Sequence, residues 1–127
     1  MAESNRYLRA TTSHDLNTGA LSYTTSFGTN FQLCSVHLHW SSATSQVISV
    51  SFTSRDGTNY SVALDVPTPS SITSYVFRPS GNCIFMDGDE VTVACANSGH
   101  PGIIVYATII AEPYGRQAAG SITAPGL

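Results

Sequence analysis

A chain of 127 residues makes one domain, and an apolar share of 42% rules out a disordered polymer. Only 10% of its residues are charged, lysine is absent, and the formal net charge is −3. A nucleic-acid binder needs clustered cations to neutralise phosphates, and a polybasic membrane anchor needs them for lipid headgroups, so composition argues against both.

The cations are Arg6, Arg9, Arg55, Arg78 and Arg116, which leaves the surface to Ser, Thr, Asn and Gly. Such surfaces suit β proteins that pack in large assemblies or bind neutral sugars. Cys34, Cys83 and Cys95 stand inside apolar runs without Cys-x-x-Cys spacing. An odd count fits a secreted disulfide framework poorly, so they read as small, buried, reduced side chains. The first six residues lack the apolar stretch of a secretory signal, and the longest apolar run, 103–111, is about half of a membrane helix. The expectation is a soluble chain made in a cytoplasm.

Residues 1–20 are polar, with isolated Tyr7, Leu8 and Leu16, and read as an N-terminal arm. A first strand is expected over 21–27, closed by the turn cluster 28–30. The next, 31–40, alternates with a period of two: Cys34, Val36, Leu38 and Trp40 face one way, and Ser35, His37 and His39 the other. Over 47–52, Ile48, Val50 and Phe52 point inward. Asp56-Gly57 supplies a hairpin turn, because glycine accepts the positive φ that such turns require.

Residues 60–66 alternate again, with Tyr60, Val62, Leu64 and Val66 expected inward. Pro67 and Pro69 stop that strand, and the loop is expected to carry the chain to a second sheet. Strands follow over 72–78, 83–86 and 90–96, with turns at 79–82 and 87–89 and with Val91, Val93 and Cys95 inward. The stretch 103–111 is apolar on both faces, as a central or interface strand is. The tail, 113–127, is rich in Gly, Ala and Pro and reads as a C-terminal arm. About eight short strands with no helical period predict a single antiparallel β-sandwich over 21–112, jelly-roll-like, with an arm at each end.

Chemistry is sparse. His37 and His39 share a strand face, as paired ligands of a metal site do, but a site also needs a third ligand and a pocket. The remaining histidines, His14 and His100, lie in an arm and a loop, so the pair reads as facing solvent or an interface. Asp87-Gly88-Asp89-Glu90 looks superficially like a calcium loop but lacks its oxygen spacing and reads as a hairpin turn. No nucleophile motif, carboxylate pair or phosphate-binding glycine loop stands out, so no catalytic residue and no cofactor are expected. Tyr23, Trp40, Tyr60, Tyr75 and Tyr106 mostly fall at inward positions and read as core.

The order of elements carries a resemblance. A strand unit "SVHLHWSSATSQVISVSF" leads to "GTNYSVALDV", then to "SYVFRPSGNCIFMDGDEVTVACANSG" and the closing "PGIIVYATIIAE". This stretch, about two-thirds of the chain, resembles the small β-sandwich head-decoration (cement) proteins of tailed bacteriophages. The resemblance implies a non-enzymatic protein on the virion's capsid surface, made in the host cytoplasm and bound to the major capsid protein. It further implies a homo-oligomer, most often a trimer, with arms reaching neighbouring subunits and no nucleic-acid or membrane partner. On that reading Tyr7, Leu8 and Arg9 of the first arm, with Ile104, Tyr106 and Ile110 of the last strand, form contacts.

Two other classes compete. A carbohydrate- or receptor-binding module would use loops 41–45, 56–59 and 98–102, with Trp40 stacking on a sugar. A cupin-like metalloenzyme would use His37 and His39.

Overall fold

The computed structural model describes residues 7–97 and 103–114. Nine strands follow in order: β1 Leu8–Asp15, β2 Leu21–Thr25, β3 Phe31–Thr44, β4 Ile48–Thr53, β5 Val62–Asp65, β6 Ile72–Phe77, β7 Ile84–Phe85, β8 Glu90–Cys95 and β9 Ile104–Pro113. One sheet runs β1-β9-β3-β6, with β7 also on β3, and the other runs β2-β8-β4-β5. The ladders nest. β1 pairs with β9, β2 with β8, β3 with β6 and β4 with β5, all antiparallel. A long hairpin folded back on itself in this way is a jelly roll, and the expected sandwich is what the chain forms.

The core lies between the sheets. Trp40, Phe31, Phe85, Leu16, Leu38, Ile48 and Ile109 are its largest fully buried side chains. Each contributes about 1.5–3 kcal/mol by leaving water. At one end Phe31 stacks on Phe85 with centroids 4.7 Å apart, while Phe27 and Phe52 meet this pair edge-on. The inward phases expected for β4 and β8 hold: Ile48, Val50, Val91, Val93 and Cys95 are buried. Residues 66–71 do cross between sheets, since β5 lies in one and β6 in the other.

Three expectations need correction. First, the sandwich begins before residue 21. Residues 8–15, read as part of an arm, form β1. Its inner side carries Leu8, Ala10, Thr12 and His14, only one of them a large apolar residue, so alternation there is nearly invisible to a hydrophobicity count. Leu16 then enters the core completely, its N–H donating to Ile103 O at 2.9 Å. At the other end β9 continues through Pro113, while residues 1–6 and 115–127 of the expected arms lie outside the described residues.

Second, Cys34 does not share a face with Val36. The β3–β9 register shifts between Leu33 and Ser35, so Cys34 is the extra residue of a bulge. One extra residue flips the phase: Phe31 and Leu33 are buried before it, Val36, Leu38 and Trp40 after it, and Cys34 is left half-buried. Cys83 is half-buried as well, and all three thiols are free. Third, Tyr60, Val62 and Val66 are not core but 67%, 56% and 52% exposed. Tyr60 belongs to a 3₁₀ turn, Thr58–Tyr60, entered through Gly57 at φ 123°. β5 is a four-residue edge strand whose register with β4 also shifts, so its inward side has little to lie against.

Two polar contacts fix the loops. The Asp89 side chain is buried, and its oxygens accept the backbone N–H groups of Arg55 and Met86, each at 2.8 Å. Arg55 in turn donates from Nη1 to Asp87 O at 2.7 Å. This ties the β4–β5 hairpin to the β7–β8 turn. Gly88 takes φ 102° there, a conformation L side chains rarely adopt, and an added Cβ would lie 3.2 Å from Arg55 Cδ, close enough to make the arginine shift. Across the open side of the sandwich, the Tyr75 hydroxyl of β6 donates to Asp65 of β5.

Each hydrogen bond to a charged group is worth about 1.5–3 kcal/mol when buried, so Asp89→Ala should lower unfolding free energy by about 3 kcal/mol in urea titration. Asp87→Ala, which keeps the backbone acceptor, should cost under about 1 kcal/mol. Burial, and then the Asp65 carboxylate, push the Tyr75 phenol above its ordinary 10.0. The folded chain therefore keeps this proton where the unfolded chain has lost it. Its contribution is complete below about pH 10 and declines as pH rises further. Burial raises the three thiols above 9.0 and adds to the same trend. Tyr75→Phe should cost about 1 kcal/mol at neutral pH and flatten the alkaline loss, read by denaturation at a series of pH values.

Candidate functional site

The outward face of the first sheet gathers most of the residues that sequence reasoning singled out. β9 is its central strand, flanked by β1 and β3. Because successive side chains alternate, Ile103, Val105, Ala107, Ile109 and Ala111 go to the core, and Ile104, Tyr106, Thr108 and Ile110 go outward. Register then sets the rows. Arg9 lies beside Ile110 and Ser35; Thr11 beside Thr108, His37 and Val76; Ser13 beside Tyr106, His39 and Ser74. Tyr106 and Val76 are 47% and 42% exposed.

His37 and His39 do share this face. Ser35 Oγ and His37 Nε2 are 3.0 Å apart, and the His39 and Tyr106 rings lie 6.4 Å apart in a tilted arrangement. A serine–histidine contact makes a nucleophile only when a third group orients the imidazole. Ser35 is itself buried, and among the described residues no carboxylate hydrogen-bonds to His37. Nor do three His, Cys, Asp or Glu side chains converge as a metal site among the described residues. His14 lies on the opposite, inner side of the sheet, and His100 is outside the described residues. The face bends into a shallow depression of about 280 Å³ lined by Thr11, Thr12, Ser13, Tyr106, Ala107 and Thr108. It is open, unlike the concave cavities that enclose small ligands.

Among the expected contact residues, Arg9, Ile104, Tyr106 and Ile110 come together here. Leu8 instead packs against the core, and Tyr7 is exposed just ahead of β1. Trp40 is 1% exposed, which removes it as a sugar-stacking platform. Burial raises the neighbouring Cys95 thiol, while the Trp40 indole N–H pulls the other way. That N–H has no partner of ordinary hydrogen-bond geometry. Sulfur is a weak acceptor, so we read this as a loose N–H···S approach. At the other possible ligand cluster, Asp89 is already engaged by two backbone N–H groups, so the turn 87–90 offers no ready oxygen cage.

Sequence reasoning missed the part that β1 plays in this face. Arg9, Thr11, Ser13 and Asp15 alternate cleanly as its exposed set, a period-two signal written in polar residues. No protein-family model matches the chain, and no curated protein matches it.

Tyr106→Ala should change unfolding free energy by under about 1 kcal/mol, whereas Trp40→Ala should cost about 3–5 kcal/mol or prevent folding, both read by urea titration. Treatment with a chelator should leave the thermal transition unmoved, because among the described residues no third ligand converges on the histidine pair.

Proposed function

We propose that this chain is a non-enzymatic structural protein of a virion, a decoration (cement) protein that binds the lattice of a phage's major capsid protein and stabilises the head from outside. The observation that carries the reading is the outward face of β1-β9-β3-β6. It is apolar and hydroxyl-rich at its centre, with Ile104, Tyr106, Thr108 and Ile110 on its middle strand. Its charged groups on β1 and β9 are confined to Arg9 and Asp15 at the β1 rim and Glu112 at the end of β9. A face of this composition suits contact with another protein surface, where charged residues are depleted at the centre and aromatics enriched.

The resemblance in element order points the same way, and the jelly roll is a fold that viral shell proteins use, which is support by analogy only. Mechanically, the role needs no chemistry. Each copy contributes a modest contact, and many copies on one lattice add avidity. The self-association implied by the resemblance would strengthen this further by linking neighbouring contacts.

The test uses empty shells assembled from the major capsid protein of the same virus. The purified chain should sediment with them. Tyr106→Asp combined with Val76→Asp should lower occupancy by about tenfold or more, since charge placed at a desolvated centre costs at least about 1.4 kcal/mol. The thermal transition of the free variant should stay within a few degrees of the parent. Shells that retain both forms equally, or neither, overturn the reading.

A further inference from the structure

Among the described residues the two sheets leave β1, β2, β5, β6 and the two-residue β7 as edges. They are unequal. β5 has four residues and a shifted register, β2 has five residues, and β6 has six with an irregular step against β3. β1 has eight residues in unbroken register with β9. It holds no proline, no lysine and no bulge, three of the devices that blunt an edge. On the side away from β9, no strand among the described residues pairs with it.

The exposed set of β1 is Arg9, Thr11, Ser13 and Asp15, so its one cation and one anion stand at opposite ends, symmetric about Thr12. That symmetry selects a partner. When two copies of one strand pair antiparallel, facing residues must share a sheet face, so the two-fold axis passes through a residue. With the axis at Thr12, Arg9 faces the partner's Asp15, Asp15 faces the partner's Arg9, and Thr11 faces the partner's Ser13. Sliding the register by two residues either way breaks both charge pairs.

Both charges are available. The Asp15 side chain is exposed, and the one hydrogen bond shown for it is accepted by Oδ1, from Asn17 N–H at 2.9 Å. Arg9 is exposed beside Ile110. On the inner side next to them, His14 Nε2 is buried without a hydrogen-bond partner, an incomplete spot one step from the edge.

We propose that two copies of this chain join edge to edge through β1, antiparallel about Thr12, to make one continuous sheet from both jelly rolls. The outward face described above would then run unbroken across the pair. This inference does not rest on the capsid reading, and it departs from the trimer that the family resemblance implies, because a two-fold contact closes at two copies.

The experiment is sedimentation equilibrium of the full chain across concentration, with backbone hydrogen exchange on the same samples. A dimer is expected, with β1 amides that gain protection as it forms. Arg9→Asp should weaken it about thirty-fold, since each of two pairs turns from attraction to repulsion at about 1 kcal/mol. Arg9→Asp together with Asp15→Arg should restore the affinity to within a few-fold. Asp15→Arg also removes the Asn17 contact, so the thermal transition of each variant is measured, and Arg9→Asp alone leaves that turn intact. A monomer at all concentrations, a trimer, β1 amides indifferent to concentration, or a dimer that Arg9→Asp does not weaken would each overturn the proposal. Loss of shell binding with the dimer intact would count against the capsid reading alone.

Discussion

The ladder between β1 and β9 closes this molecule. It joins residues about a hundred positions apart, and every other strand pair nests inside it. Closing so long a loop is entropically unfavourable, but only logarithmically so, and the inner ladders shorten the effective loop before the last one forms. β9 is held from both sides, by β1 and β3, and sends four residues into the core. The sandwich therefore depends on a strand that is itself only marginally apolar. β1 holds its place through eight positions of backbone register and through Leu16, which enters the core directly behind it.

Low charge shapes the rest. With few ion pairs to draw on, the loops are fixed by side chain–backbone hydrogen bonds. Asp89 anchors two N–H groups, Ser54 and Ser61 hold the β4–β5 turn, and Asp65 meets Tyr75 across the open side. Asp89 thereby satisfies two backbone donors, and Asp65 accepts from a side-chain hydroxyl. The centre of the first sheet's outward face carries Ile104, Tyr106, Thr108 and Ile110 on its middle strand, apolar and hydroxyl groups without charge.

Much of the architecture was legible in the residues. Alternation in 47–52 and 90–96 gave the right inward sets, and Pro67 and Pro69 marked the crossing between sheets. The failures have physical causes. β1 alternates in Arg, Thr, Ser and Asp, so its period is invisible to hydrophobicity although the backbone pairs in perfect step with β9. The bulge at Cys34 changes phase mid-strand, and nothing in the run Leu33-Cys34-Ser35-Val36 announces it. Tyr60, Val62 and Val66 look like core because edge position is a property of the whole sheet order and no local pattern encodes it. The histidine pair was placed on a common face correctly. Whether a third ligand would arrive depended on distant strands.

Jelly rolls serve as shell proteins, lectins and cupin enzymes, so the fold alone decides nothing. The three uses differ in where they put their chemistry. The space between the sheets is filled by Trp40, Phe31, Phe85 and a layer of aliphatic side chains. The tryptophan that a sugar-stacking platform would use is in the core. The outward sheet face carries a tyrosine, two isoleucines and a threonine along its middle strand, and the long β1 edge carries two charges arranged to complement themselves. If both surfaces act, they act together, because β1 is at once the rim of the face and the edge through which a second copy would extend it.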